Sequence, residues 1–126
     1  MSSSELRYLI AANNLAKEMQ SVKQTDIANR LHVTKVSAYN AIERLREKEY
    51  IEKNDRKIVL TDRGREVLNE YITIIRFMSA HLSLHCGTSE KQAYEDALNA
   101  TCVFSDATRN GIARFIRLKR ESDGRE

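Results

Sequence analysis

The sequence predicts a mainly α chain with one small β-wing, and three observations predict it. It has no proline and only four glycines in 126 residues, which favours long uninterrupted helices over a loop-rich or all-β fold. Two apolar-periodic segments, QTDIANRL (Gln24–Leu31) and VSAYNAIERLREKEY (Val36–Tyr50), are separated only by the short turn His32–Thr34. Directly after them, Tyr50–Thr61 alternates apolar and polar residues around the charged turn DRK, as a two-stranded ribbon does. Together these make an N-terminal winged helix-turn-helix, with a helical module behind it.

The elements follow in order. Leu6, Leu9, Ile10, Ala12 and Leu15 lie at helical spacing and predict a first helix to about Gln20, with Ser4 as N-cap and Glu5 favourable in its first turn. In the second helix Thr25 is the expected cap, and Asp26 complements the dipole. Ala28, Leu31, Val33, Ala38, Ala41, Ile42 and Leu45 are expected to close a three-helix core. After the wing, Thr61–Gly87 reads as one helix, with Thr61 as N-cap and Gly87 as its left-handed stop. At about 25 residues it would be some 38 Å long. Its apolar face (Val67, Leu68, Tyr71, Ile74, Ile75, Met78 and Leu82) is expected to reach beyond the winged helix to another partner. Ser89-Glu90-Lys91-Gln92 reads as a capping box opening a helix to about Val103. Ser105 or Asp106 should cap a last helix ending in Arg114–Arg120, with a frayed tail beyond it. The expected division is residues 1–63 for the winged helix and 64–126 for the connector helix and a helical dimerisation module.

Composition bounds the function. The formal charge is only +3, but residues 1–63 hold 12 Lys and Arg against 9 Asp and Glu, whereas residues 64–126 hold 9 of each. The whole excess therefore lies in the winged-helix part. Two cysteines, Cys86 and Cys102, do not make a disulfide framework. No apolar run suits a signal peptide or approaches the roughly 20 residues that span a bilayer. A cytoplasmic protein with reduced thiols and no membrane partner is expected. An enzyme is not: no Gly-rich phosphate loop, Ser/His/Asp set or paired carboxylates occur at the required spacing.

A second helix of this kind fits the DNA major groove. With Ala38, Ala41, Ile42 and Leu45 turned inward, Lys35, Val36, Ser37, Tyr39, Asn40 and Arg44 remain to face a duplex. Asn40 is the best base reader, because its amide bonds adenine N6 and N7 together. Thr34 and Ser37 suit phosphate or base, and Val36 a thymine methyl. Lys35, Arg44 and the wing cations Lys53, Arg56 and Lys57 suit phosphates. Glu43 and Glu47 would repel the backbone, so the end of the helix should lift away from the duplex. His32, in the turn, reads as structural or phosphate-adjacent.

TDIANRLHVTKVSAYNAIERLREKEYI, the wing ending IVLTDRGREV, and the turn plus helix GTSEKQAYEDAL resemble, in order and spacing, the metal-dependent repressors of the diphtheria-toxin-repressor and manganese-transport-regulator family. The resemblance covers nearly the whole chain. It implies an N-terminal DNA-binding module, C-terminal helices that form a two-fold dimer, and a metal that sets the spacing of the two recognition helices. Along that pattern the ligand positions fall at Arg7, Ile10, Arg76, Leu98, Thr101 and Cys102, of which only Cys102 is a ligand type. Two arginines there would repel a dication by several kcal/mol at an effective dielectric near 20.

A different divalent transition-metal site is conceivable from the residues. His81 and His85 lie i, i+4 on the connector, with Cys86 adjacent and Cys102 on the next helix, a donor set that favours zinc. The same histidines also suit a helix C-terminus, and the cysteines a core. The expected function is a sequence-specific, homodimeric DNA-binding transcriptional regulator, a repressor by analogy with that family, which uses an inverted-repeat operator and has an altered or lost metal switch. The alternatives are a repressor answering to an organic effector and a winged helix used for protein–protein assembly.

Overall fold

The computed structural model describes residues 1–124. Its elements are α1 (Ser3–Glu18), α2 (Gln24–Leu31), α3 (Lys35–Glu47), β1 (Ile51–Asn54), β2 (Lys57–Leu60), α4 (Asp62–Cys86), α5 (Glu90–Val103) and α6 (Asp106–Gly124). They divide into two compact units, Met1–Leu68 and the segment from Asn69 onward.

In the first unit α1 packs on α2, α3 and β2. Leu6, Leu9, Ala12, Leu15, Ile27, Ala28, Ala38, Ala41, Ile42 and Leu45 are buried. Alanines at 38 and 41 let α3 approach its neighbours closely, as the density of a protein interior requires. Leu31 and Val33, expected in this core, are only half-buried.

Three helix ends differ from expectation. Ser2, not Ser4, caps α1: its hydroxyl accepts from the Glu5 amide at 3.1 Å while the Glu5 carboxylate accepts from the Ser2 amide at 3.3 Å. Thr25 does not cap α2. Lys23 is the N-cap residue, and its amide donates to Asp26 Oδ2 at 2.8 Å. The third helix stops at Glu47 instead of Tyr50, because Glu49 turns left-handed (φ 64°) and the amides of Glu49 and Tyr50 donate back to the carbonyls of Arg46 and Leu45, each at 3.0 Å. His32 (φ 55°) closes α2 in the same way, its amide and that of Val33 returning to Asn29 and Ala28.

The wing is a two-residue hairpin in which Ile51 pairs with Leu60 and Asn54 with Lys57. Asp55 and Arg56 both have positive φ (51° and 70°), the geometry of a type I′ turn, whose twist matches the strands. The base of the hairpin is pinned. The Thr61 amide donates to the Tyr50 carbonyl at 3.0 Å, and its hydroxyl donates to the Glu49 carbonyl at 2.6 Å while accepting from the Gly64 amide at 2.9 Å. Thr61 thus caps α4, as expected. A Cβ at Gly64 would lie 2.0 Å from the Tyr50 carbonyl oxygen, so only glycine admits this approach.

In the second unit the outward apolar face expected of the connector is largely covered by the chain itself. Tyr71, Ile74 and Ile75 are buried, and Ile74 joins Ala113 and Ile116 of α6, with Phe77, Met78 and Ile112 packed around them. What stays exposed is a different apolar set: Leu84, Val103, Phe115 and Leu118. Gly87 (φ 67°) follows α4 as its left-handed stop. Ser89 caps α5 by accepting from the Gln92 amide, but Gln92 turns to Asp96 instead of completing the box. Ser105 caps α6 through the Thr108 amide, and that helix continues past Arg120 to Gly124. Residues 125–126 of the expected frayed tail lie outside the described residues.

Arg109, which drew no attention in the sequence, is the polar centre of this unit. Although 7% exposed, it donates to the Phe104 carbonyl at 2.6 Å, pairs with Asp106 and approaches Glu70 at 3.6 Å, and its guanidinium lies 4.7 Å from the Tyr71 ring centre. It ties α4, the end of α5 and the start of α6 together.

Candidate nucleic-acid interface

The left-handed turn at His32 sets the start of α3. Thr34 caps that helix, accepting from the Ser37 amide at 3.0 Å and donating to the Ser37 hydroxyl at 2.9 Å. Both hydroxyls are exposed, so each keeps acceptor capacity toward solvent. Lys35, Val36, Ser37, Tyr39, Asn40 and Arg44 are exposed along α3, opposite the buried Ala38, Ala41, Ile42 and Leu45. The amphipathic split expected from the sequence is therefore present. Val36 and Tyr39 are large apolar side chains left in solvent on this helix.

On the wing, Arg56 and Lys57 are exposed. Among the described residues neither these two nor Lys35 and Arg44 has an ion-pair partner. Lys53 behaves differently. Its ammonium donates to Glu43 Oε1 at 2.6 Å and lies 4.9 Å from the centre of the Tyr39 ring, and its side chain is 23% exposed. It is turned onto α3, whereas the sequence reading gave it to phosphate. Glu43 also receives Arg46 at 3.5 Å. The hydrogen bond from Lys53 holds the Glu43 carboxyl below its ordinary 4.5, against a smaller opposing effect of burial. Glu43 is thus compensated inside the protein and is not the bare repulsive charge its sequence position suggested. A carboxylate and an ammonium ten residues apart carry no local signal for such a pair.

A concave pocket of about 300 Å³ lies between the start of α2 and the wing, lined by Lys23, Gln24, Thr25, Lys53, Arg56 and Ile58. The Ile58 amide donates to the Val22 carbonyl at 2.7 Å, fixing β2 to the segment that leads into α2.

The metal candidates fare differently. His81 and His85 stack with ring centres 5.4 Å apart, and His81 also meets Phe77 at 4.5 Å. Among the described residues no three His, Cys, Asp or Glu side chains gather into a group able to hold a metal, so Cys102 does not join the histidine pair. The imidazoles are engaged with each other and with an aromatic ring, while Cys102 is half-buried on α5. At the positions that the family resemblance marks as ligands, Leu98 and Thr101 are buried, the Thr101 hydroxyl donates to the Ala97 carbonyl at 2.7 Å, and Arg76 is exposed. An aliphatic chain, a committed hydroxyl and a cation are not a donor set for a divalent metal, so these residues do not fit one. No helix of the described residues is long and apolar enough to cross a membrane.

No family model and no curated protein matches this chain. Solved structures do. A hypothetical protein from Sulfolobus solfataricus superposes with a TM-score of 0.72 at 19% identity, over 92% of this chain and 89% of the other. The manganese regulator SloR gives 0.73 at 17% identity, over 90% of this chain and 53% of that one. The metal-dependent transcriptional regulator MtsR gives 0.76 at 15%, over 93% and 55%. Likeness at these identities establishes a shared fold, and it is the fold that the sequence resemblance implied. The chain spans about half the length of SloR and MtsR.

Proposed function

We propose that this chain is a sequence-specific DNA-binding transcriptional regulator that acts as a homodimer, with the metal switch of similarly folded regulators altered or lost. The observation that carries this reading is the surface of α3 and the wing. Polar Ser37 and Asn40 and four cations without an ion-pair partner among the described residues stand in solvent on the helix and hairpin that a winged helix offers to DNA. Lys35, Arg44, Arg56 and Lys57 suit phosphates, and Asn40, with Tyr39 and Val36 near it in sequence, suits bases. Thr34 and Ser37 divide their hydroxyls between capping and contact. The ill-fitting donor set supports loss of the metal response, and the exposed Leu84, Val103, Phe115 and Leu118 support a protein partner, here a second copy.

Binding of labelled duplexes enriched from a random pool, with chelator and with Mn, Fe or Zn added, tests the reading. Selective, salt-sensitive binding to an inverted repeat, indifferent to metal, is expected. A reproducible tenfold gain with manganese, or no duplex preference at all, overturns it. Asn40→Ala should cost about 1–3 kcal/mol mainly at one base pair, and neutralising Lys57 should weaken all sequences alike.

An organic effector is a second reading, favoured by a groove of about 610 Å³ lined by Arg76, Ser79, Ser83, Leu84, Glu90 and Tyr94. Thermal shifts of the free chain with small carboxylates test it, and an unchanged midpoint across the series removes it.

A further inference from the structure

We infer that Glu43 and Lys53 form a strut that fixes the wing against the recognition helix and sets the position of Tyr39 on the DNA-reading face. The inference rests on the DNA-binding reading above. Glu43 lies on α3 and Lys53 on β1, and their 2.6 Å hydrogen bond adds a side-chain tie between two elements that follow one another through the turn at Lys48–Tyr50 and pack together. The bond is charge-assisted, and both side chains are half-buried (28% and 23% exposed). Arg46 supports the same carboxylate from the next turn of α3.

The ammonium of Lys53 also lies over the Tyr39 ring, a cation–π arrangement that stabilises a ring otherwise in solvent. Tyr39 precedes Asn40, the best base reader on the helix. One lysine thus orders the wing strand, the helix flank and the aromatic ring together. Arg56 and Lys57, at the tip of the same hairpin, inherit their placement from it. A strut of this kind makes Lys53 a positioning residue and leaves phosphate contact to its unpaired neighbours.

The opposite role for Lys53, a phosphate clamp that Glu43 holds back, gives opposite results. Glu43→Gln and Lys53→Met keep the shapes of their side chains and are compared with the unmodified chain on duplexes that the unmodified chain has enriched. With a strut, each variant loses about fivefold of its preference for the enriched duplex over a scrambled one, while the slope of log affinity against log salt stays unchanged. With a clamp, Glu43→Gln binds every duplex more tightly and Lys53→Met lowers the salt slope by about 0.9, and either result overturns the inference. A carboxyl titration of Glu43 by NMR, made without DNA, separates the strut from its use. The carboxyl should titrate below its ordinary range in the unmodified chain and rise toward that range in Lys53→Met, where Arg46 alone still supports it. A Glu43 that titrates ordinarily in both removes the strut whatever the DNA result. An unmodified chain that prefers no duplex instead overturns the DNA-binding reading itself.

Discussion

The two units of this chain leave different chemistry in solvent. In the winged-helix unit the exposed positions of α3 and the hairpin are mostly cations, hydroxyls and amides, with the apolar Val36 and Tyr39 and the acidic Glu47, Glu52 and Asp55 among them. In the unit from Asn69 onward, Leu84, Val103, Phe115 and Leu118 are left in water at 58% exposure or more. Each interior is apolar and holds a buried ion: Glu5 in the first unit, a carboxylate met by Lys48, and Arg109 in the second, a cation shared by three helices. A surface rich in cations suits a polyanion, and large apolar side chains suit another protein where they gather into a patch. Under the proposed reading the two halves serve different partners, and each unit can be perturbed separately.

The largest expected effect strikes the first unit alone. Gly64→Ala forces a methyl into the Tyr50 carbonyl, and the backbone at the base of the wing must move. A loss of about 3 kcal/mol in denaturant unfolding is expected. A loss below about 0.5 kcal/mol would show that this junction gives way easily. Next comes the apolar surface of the second unit. Under the homodimer reading, Leu84→Glu combined with Leu118→Glu weakens self-association about 100-fold by sedimentation equilibrium while leaving the helical content intact. Unchanged association moves the partner surface elsewhere.

A smaller effect returns to the first unit. Burial pushes the Glu5 carboxyl up, but hydrogen bonds from Lys48 (2.6 Å) and Ser2 (2.9 Å) outweigh it and hold the group below its ordinary 4.5. A depressed carboxyl stabilises the fold fully at neutral pH and loses that contribution as pH falls through its lowered value. Lys48→Met should therefore cost about 1 kcal/mol at neutral pH, with the two proteins converging in stability once the carboxyl is protonated. Thermal melts from neutral to acid pH check both the size and the sign. The smallest effect is a gain. A Cβ at Gly111, inside α6, meets nothing within 4 Å. Gly111→Ala should stabilise by about 0.5–1 kcal/mol, the ordinary helix preference for alanine. The opposite signs at Gly64 and Gly111 are the clearest test of how differently the two regions use glycine.

What was legible in the sequence was periodic or local. The span of α2, the Thr61 cap, the Gly87 stop and the inward face of α3 all rest on spacing within a few residues, and all are present. The errors lie where a residue does something unusual for its type. Glu49, Asp55 and Arg56 adopt positive φ without glycine or asparagine to announce it, so α3 was read three residues too long. Ser2 displaced Ser4 as cap because Glu5 sits three residues after Ser2 and completes the box. Arg109 looks like any helix-surface cation until Glu70, Tyr71, Phe104 and Asp106 are brought around it. The exposed face of α3 was visible from amphipathicity alone, but the pair of Glu43 and Lys53 beside it was not, because a pair across two elements has no period.

The pinned base of the hairpin has a consequence for how such a protein can change. Tyr50 and Thr61 are clamped to each other, and through Gly64 to the start of α4, so the ends of the ribbon stay together whatever its tip contains. For a flexible insertion with its ends already fixed, each doubling of length adds only about 0.6 kcal/mol of closure entropy. Residues 55–56 therefore form an exchangeable cassette. Under the DNA-binding reading, a longer or differently charged loop grafted there would alter the reach along a groove while α3 and the first turn of α4 keep their places.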